Sequence, residues 1–297
     1  MKQRRIVFGN RKGGCGKTSS AVNVAAGLAL AGRKTLLVDC DAQCHASISL
    51  GFSPYSQMPS LYDVLTNETL KITDVMAPVK WPEKLYIVPS SNQLAAYELE
   101  GKRDPKSRNR LANLFMTTDM ADIDYIIIDP PPTLGLLFVK SLIAASEVVI
   151  PVQTHFLSME SLAEMVRLVY QVNATVNPQL KITGILPTFY SRQIRLAKDV
   201  IKEIKKNFGE DMLLPLVRQD FAIAEAPGFG KCIYKHAPVS MGATDYAAVV
   251  ERLDGNCTVN FPGKNKPVKK KPQLRKINVS RKKKKSQGRI HKKKGLS

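Results

Sequence analysis

Two kinds of stretch alternate along the chain. Short, almost continuously apolar runs occur at RRIVFG (4–9), KTLLVD (34–39), LYIVP (85–89), YIIID (125–129), EVVIPV (147–152) and KITGILPT (181–188). Rich in Ile, Val and Leu and without a polar alternate face, they read as strands covered on both sides. Between and after them lie longer stretches with helical spacing, at 18–31, 109–117, 134–145, 158–172, 194–208 and about 244–253. Strands alternating with helices of this length predict βαβ units with right-handed crossovers. The expected fold is α/β, a mostly parallel twisted sheet with helices on both faces. No internal repeat interrupts the pattern. No apolar run approaches the roughly 18 residues of a membrane-spanning helix, and the opening MKQRRIVFGN lacks the apolar segment of a signal peptide.

Charge changes the picture only at the C-terminus. The formal net charge is +20, from 45 Lys and Arg against 25 Asp and Glu, and 16 of the basic residues lie from Pro262 onward, where there is no acid. A nearly balanced domain over 1–255 is therefore expected to end in a basic, disordered tail over 256–297. Such a polycation would suit DNA, bound by releasing counterions with little base readout; the alternatives are a solubilising tail or a contact with RNA or an acidic protein. Five cysteines without framework spacing indicate reduced thiols and a cytoplasmic setting. Cys40 and Cys44 read as small residues near a strand end rather than metal ligands, because no CxxC or His pair answers them.

The candidate chemistry sits at strand ends. GNRKGGCGKTSS (9–20) follows the first strand and opens the first helix. It ends like the phosphate loop G-x-x-x-x-G-K-[ST], although Arg11 stands where the leading glycine would be. Gly13, Gly14, Cys15, Gly16, Lys17, Thr18 and Ser19 form the candidate phosphate cradle, with backbone N–H groups and a helix N-terminus facing the anion. Lys17 would neutralise the β and γ phosphates, and Thr18 would ligate Mg²⁺. Asp39 and Asp41 end the second strand, and Asp129 ends the fourth predicted strand, at the carboxyl edge where ligands bind in open α/β sheets. Asp129 is expected to coordinate Mg²⁺ through water. Pro130–Pro132 and Gly135 behind it make a rigid switch.

These residues carry a resemblance. KGGCGKT (12–18) resembles the deviant Walker A motif, KGGxGKT, of the ParA/MinD superfamily of P-loop ATPases. LLVDCDAQ (36–43), YIIIDPPPTLGLL (125–137), PVQTHFLSMESL (151–162) and 221–246 are similar to further ParA segments, closest to the small Soj-type partition ATPases. The resemblance implies a Mg²⁺-dependent ATPase that uses ATP and forms an ATP-dependent homodimer. In it Lys12 reaches across the interface to the partner's nucleotide, and Asp41 orients the attacking water. Asp39 supports the Mg²⁺ shell or the loop. It also implies non-specific DNA binding, placed on Arg192, Arg195, Lys198, Lys202 and Arg218, and a nucleoid-associated role in segregating plasmid or chromosomal DNA. A ParB-like partner would stimulate hydrolysis. The chain departs from the family at Ala42, Cys44 and His45, where Pro, Gly and Asn are usual, and at Cys15, usually valine. The alternatives are a ParA-like ATPase positioning another cargo in conjugation or secretion, and a MinD-like membrane ATPase. The tail's sparse Leu274, Ile277, Val279 and Ile290 do not build the apolar face that stable membrane insertion needs.

Overall fold

A computed structural model of the chain describes residues 3–100, 105–155 and 158–264. Seven strands form one sheet: β1 (Arg4–Phe8), β2 (Thr35–Asp39), β3 (Ala77–Pro78), β4 (Leu85–Val88), β5 (Tyr125–Asp129), β6 (Glu147–Gln153) and β7 (Lys181–Thr188). Their order is β3-β4-β2-β5-β1-β6-β7, and only the β3–β4 pair is antiparallel. All six predicted strands are present. The seventh, β3, is a two-residue edge strand, too short to show periodicity, and its Pro78 suits an edge where one N–H is not needed.

Alternate residues of each strand feed two cores, which explains the continuous apolar runs. Ile6 and Phe8 of β1 pack with Leu37, Ile127 and Val149 beneath the helices Lys17–Leu30 and Met241–Asp254. Val7 turns to the opposite face with Val38, Ile126, Ile128 and Val148, under the helices Leu136–Ala144 and Ser158–Thr175. Gly27 lets the first helix approach closely: a side chain there would begin 2.7 Å from both the Tyr234 hydroxyl and a Val250 methyl. The short helices His45–Ser49, Leu61–Thr66, Ile72–Val75, Leu94–Glu100, Phe221–Glu225 and Ile233–His236 were not predicted. Each is four to seven residues long, less than one helical period window.

The expected domain boundary at 255 needs revision. Val259 is fully buried, and the Phe261 ring lies 5.1 Å from that of Tyr234. The Val259 N–H donates to Glu251 at 3.1 Å, and the Lys264 ammonium pairs with the same carboxylate at 2.6 Å. The folded body thus runs to Lys264. The expected disordered tail from 265 lies outside the described residues. Among the described residues no helix is long and apolar enough to cross a membrane.

Burying one Val or Phe side chain stabilises by about 1.5–3 kcal/mol. A chain ending at Gly255 should therefore be roughly 3–6 kcal/mol less stable to urea than one ending at Lys264. Equal unfolding midpoints would contradict this placement of the C-terminal segment.

Candidate active site

The loop between β1 and the Lys17–Leu30 helix is held by three neighbours. Asn10, fully buried, donates to the Pro151 carbonyl at 2.7 Å and accepts from the Lys12 N–H at 3.0 Å. Gln153, at the end of β6, donates to the Gly14 carbonyl at 2.7 Å, and Thr188, at the end of β7, donates to the Cys15 carbonyl at 2.9 Å. Gly14 and Gly16 take φ of +71° and +87°, values that favour glycine. Gly16 is the helix N-cap, with no side-chain cap and no acid in the first turn. The first-turn N–H groups are left open to an anion. Lys17 is buried and folds back over the loop, donating to the Lys12 carbonyl at 3.3 Å.

Gly13, Gly14, Gly16, Lys17, Thr18 and Ser19 line a cleft of about 420 Å³ together with Asp41, Gln43, His45, Pro132 and Phe189. Cys15, expected in the cradle, does not line this cleft. Its thiol is buried, and burial raises its pKa, the opposite of an activated nucleophile. Lys12 does not line this cleft. Its half-buried side chain lies in a separate cleft beside Arg11, Pro132, Thr133, Leu134 and Glu164, and it makes no ion pair among the described residues.

Three carboxylates converge behind the cleft. Asp39 and Asp129 are direct register partners on β2 and β5, and both are fully buried. Asp39 accepts hydrogen bonds from the Ser47 N–H at 2.8 Å, the Ser47 hydroxyl at 2.7 Å and the Asp41 N–H at 3.2 Å. Burial lifts its pKa to about 6 against these bonds, and Asp41 adds repulsion. Its oxygens are therefore occupied, and of its two anticipated roles the geometry favours loop support over metal binding. Asp129 differs. Neither oxygen has a hydrogen-bond partner. Burial raises its pKa well above the usual range, Asp39 adds to the shift, the Thr18 side chain opposes it, and Asp41 and Lys17 act more weakly in opposite directions. A buried carboxylate left so short of positive charge fits a divalent cation. Thr18, in the first helical turn, supplies the matching hydroxyl. Asp41 is nearly buried, accepts from the Gln43 N–H at 3.0 Å and is anchored by Ser90, which donates to its carbonyl at 2.6 Å.

Next to Gly16 and Ser19 lies a mainly apolar pocket of about 190 Å³, lined by Thr188, Phe189, Val217, Phe221, Ile223 and Tyr246 among others. Sequence reasoning did not assign this pocket. Its lining comes from segments far apart in the chain, and only the fold brings them together. Asn10, Gln153 and Ser90 were likewise missed, because their roles lie in backbone contacts that no motif records.

The five basic residues assigned to DNA fall into two groups, one in a cleft and one on a helix. Arg192 and Arg218 share a cleft of about 550 Å³ with Tyr190, Phe221 and Met241. Arg218 enters it as half of an ion pair, donating to Asp245 at 2.9 Å, which reduces its pull on a phosphate. Arg195, Lys198 and Lys202 are exposed on the helix Arg195–Phe208, whose Ala197, Val200 and Ile204 face inward. Ile194 is half exposed at the N-cap.

A family model described as an AAA domain matches residues 3–182. The chain is 35% identical to the chromosome partitioning protein ParA of Myxococcus xanthus over 87% of its own length and 90% of the relative's. It is 34% identical to the chromosome-partitioning ATPase Soj of Thermus thermophilus, with 85% and 96% covered. Among solved structures, cobyrinic acid a,c-diamide synthase of Mycobacterium smegmatis with bound ADP and magnesium superposes with a TM-score of 0.70 at 27% identity, covering 88% of this chain and 99% of that one. The septum site-determining protein MinD of Pyrococcus horikoshii, complexed with Mg-ADP, shares the fold, with a TM-score of 0.66 at 22% identity and coverage of 85% and 96%. With these likenesses spanning the loop, the three carboxylates and the sheet that carries them, the chain belongs to the ParA/Soj family of partition ATPases.

Proposed function

We propose that this ATPase closes as a homodimer around two ATP molecules with Mg²⁺. In that state it would bind DNA without sequence preference and so drive segregation of plasmid or chromosomal DNA, with hydrolysis stimulated by a ParB-like partner. The observation that carries the reading is the separation of the two loop lysines: Lys17 sits in its own phosphate cleft, and Lys12 faces the neighbouring surface beside Pro132. A cation held outside its own cleft, on the rim of the site, is placed to serve a second copy's phosphates. Two facing triphosphates concentrate negative charge, and cations from both chains relieve it.

Phosphoryl transfer requires positioning and charge stabilisation more than covalent chemistry. The loop N–H groups and Lys17 hold the phosphates. Thr18 and Asp129 would hold Mg²⁺, which when bound neutralises charge on the phosphate oxygens. Asp41, at the cleft wall and fixed through its backbone by Ser90, accepts a hydrogen bond from the attacking water and aims it. Asp39 and Ser47 keep that loop in place. The exposed face of Arg192, Arg195, Lys198 and Lys202 supplies phosphate contacts of the sequence-independent kind. The basic residues beyond Lys264 add to the same attraction, working at the nucleoid.

DNA binding measured by fluorescence anisotropy with an ATP analogue, with ADP and without nucleotide tests this reading. Affinity should be highest with the analogue, and Lys12→Ala should remove that increment. Equal affinity in all three states would refute it. Asp41→Ala should keep ATP bound and lower the turnover rate about 100-fold or more, and normal turnover in that variant would remove Asp41 from the mechanism. In metal-free, nucleotide-free buffer, Asp129→Asn should raise the melting temperature, since it removes an uncompensated buried carboxylate. The gain should be larger at pH 8 than at pH 5. Folded Asp129 retains a proton that the unfolded chain releases, so wild-type stability falls as pH rises. A melting temperature for Asp129→Asn below that of the wild type at pH 8 would contradict this account of Asp129.

A further inference from the structure

Phe189 stands where the nucleotide site and the arginine-lined cleft meet. It directly follows β7, whose last residue, Thr188, donates to the Cys15 carbonyl of the phosphate loop at 2.9 Å. The Phe189 ring lies 3.6 Å from where a side chain on Gly16 would begin. It lines both the phosphate cleft and the adjoining apolar pocket. Its backbone adopts φ of +52°, in the left-handed region, although it is not glycine. For a bulky residue that conformation is an outlier and is strained, so its surroundings must hold it there. The ring itself is 43% exposed and provides little of that hold.

The restraint comes from the backbone: the Thr154 hydroxyl donates to the Phe189 carbonyl at 3.5 Å, and the next residue is held more firmly. The Tyr190 N–H donates to the Val217 carbonyl at 3.0 Å, and the Gln219 N–H donates to the Tyr190 carbonyl at 3.1 Å. These bonds lock the segment after Phe189 against the segment carrying Arg218. Three residues past Phe189 is Arg192, which shares its cleft with Arg218. A rotation that relaxed Phe189 out of the left-handed region would have to break these two bonds, and in doing so would turn Tyr190–Arg192 relative to Arg218.

From this we propose that Phe189 is a positioning residue that couples nucleotide occupancy to the geometry of the Arg192–Arg218 cleft, and thereby regulates the affinity for duplex DNA. The inference rests on the DNA-binding reading above. A nucleotide filling the phosphate cleft or the apolar pocket would meet the ring and so bias Phe189 between this strained conformation and a relaxed one. A ligand shifts such an equilibrium only through this kind of differential contact. Couplings of this type change affinity by about 5- to 150-fold.

The test is the ratio of duplex-DNA affinities of the full-length chain with a saturating ATP analogue and with saturating ADP. Saturation removes any effect on nucleotide affinity, and contacts made equally in both states cancel in the ratio. Phe189→Gly accepts a positive φ without strain and deletes the ring, so it should fold, still dimerise with the analogue, and lower the ratio about fivefold or more. Phe189→Tyr should keep the wild-type ratio. A wild-type ratio in Phe189→Gly would overturn the inference and leave the proposed function standing. A ratio near one in the wild type would instead overturn the DNA-binding reading, and this inference with it.

Discussion

Three carboxylates crowd one edge of the sheet, and two of them, Asp39 and Asp129, are buried side by side on adjacent parallel strands. Like charges so placed in a dry interior are costly unless something positive joins them. The fold divides the problem. Asp39 is satisfied by the Ser47 N–H and hydroxyl and becomes a strut for the loop that presents Asp41. Asp129 is left unsatisfied. A buried carboxylate without a hydrogen-bond partner thus stands beside a loop whose N–H groups and lysine suit an anion, a combination that fits a metal-bound phosphate. Nucleotide binding and the stability of this region are in that sense one equilibrium.

Much of this was legible in the sequence. The strands showed because both faces of the sheet are covered, which gives unbroken runs such as YIIID instead of an alternation. The phosphate loop showed because a helix N-terminus that binds an anion needs glycines and a lysine at fixed spacing. The place of Asp129 at a strand's carboxyl end marks it as a candidate metal ligand, but its pairing with Asp39 depends on β2 lying next to β5. That adjacency is a property of the strand order, and no local pattern encodes it. The same limit hid Asn10, Gln153 and Thr188, which hold the loop from strands far along the chain, and Phe189, whose backbone conformation leaves no mark in composition. The segment 256–264 was assigned to the tail because its neighbours are basic. Val259 and Phe261 nevertheless find places in the core beside Tyr234, and two apolar side chains outweigh a local charge trend.

Function in this arrangement follows from connection rather than from isolated residues. β7 ends against the phosphate loop, continues through Phe189 and Tyr190 to Arg192, and leads into the helix that carries Arg195, Lys198 and Lys202. The nucleotide site and the basic face are thus successive parts of one short stretch of chain. Arg218 is held by Asp245 of the C-terminal helix, so the face is braced by the same helix that packs on the phosphate-loop helix. A change at the phosphates has a direct mechanical route to the surface.

The central claim is that Lys12 serves a partner's nucleotide. Its most direct test is the mass of the purified protein in solution, by analytical ultracentrifugation, with Mg²⁺ and a slowly hydrolysed ATP analogue at saturation. The wild type should sediment as a dimer with the analogue and as a monomer with ADP, and Lys12→Ala should remain a monomer in both. A wild-type monomer with the analogue, or a Lys12→Ala dimer as tight as the wild type, would contradict the account.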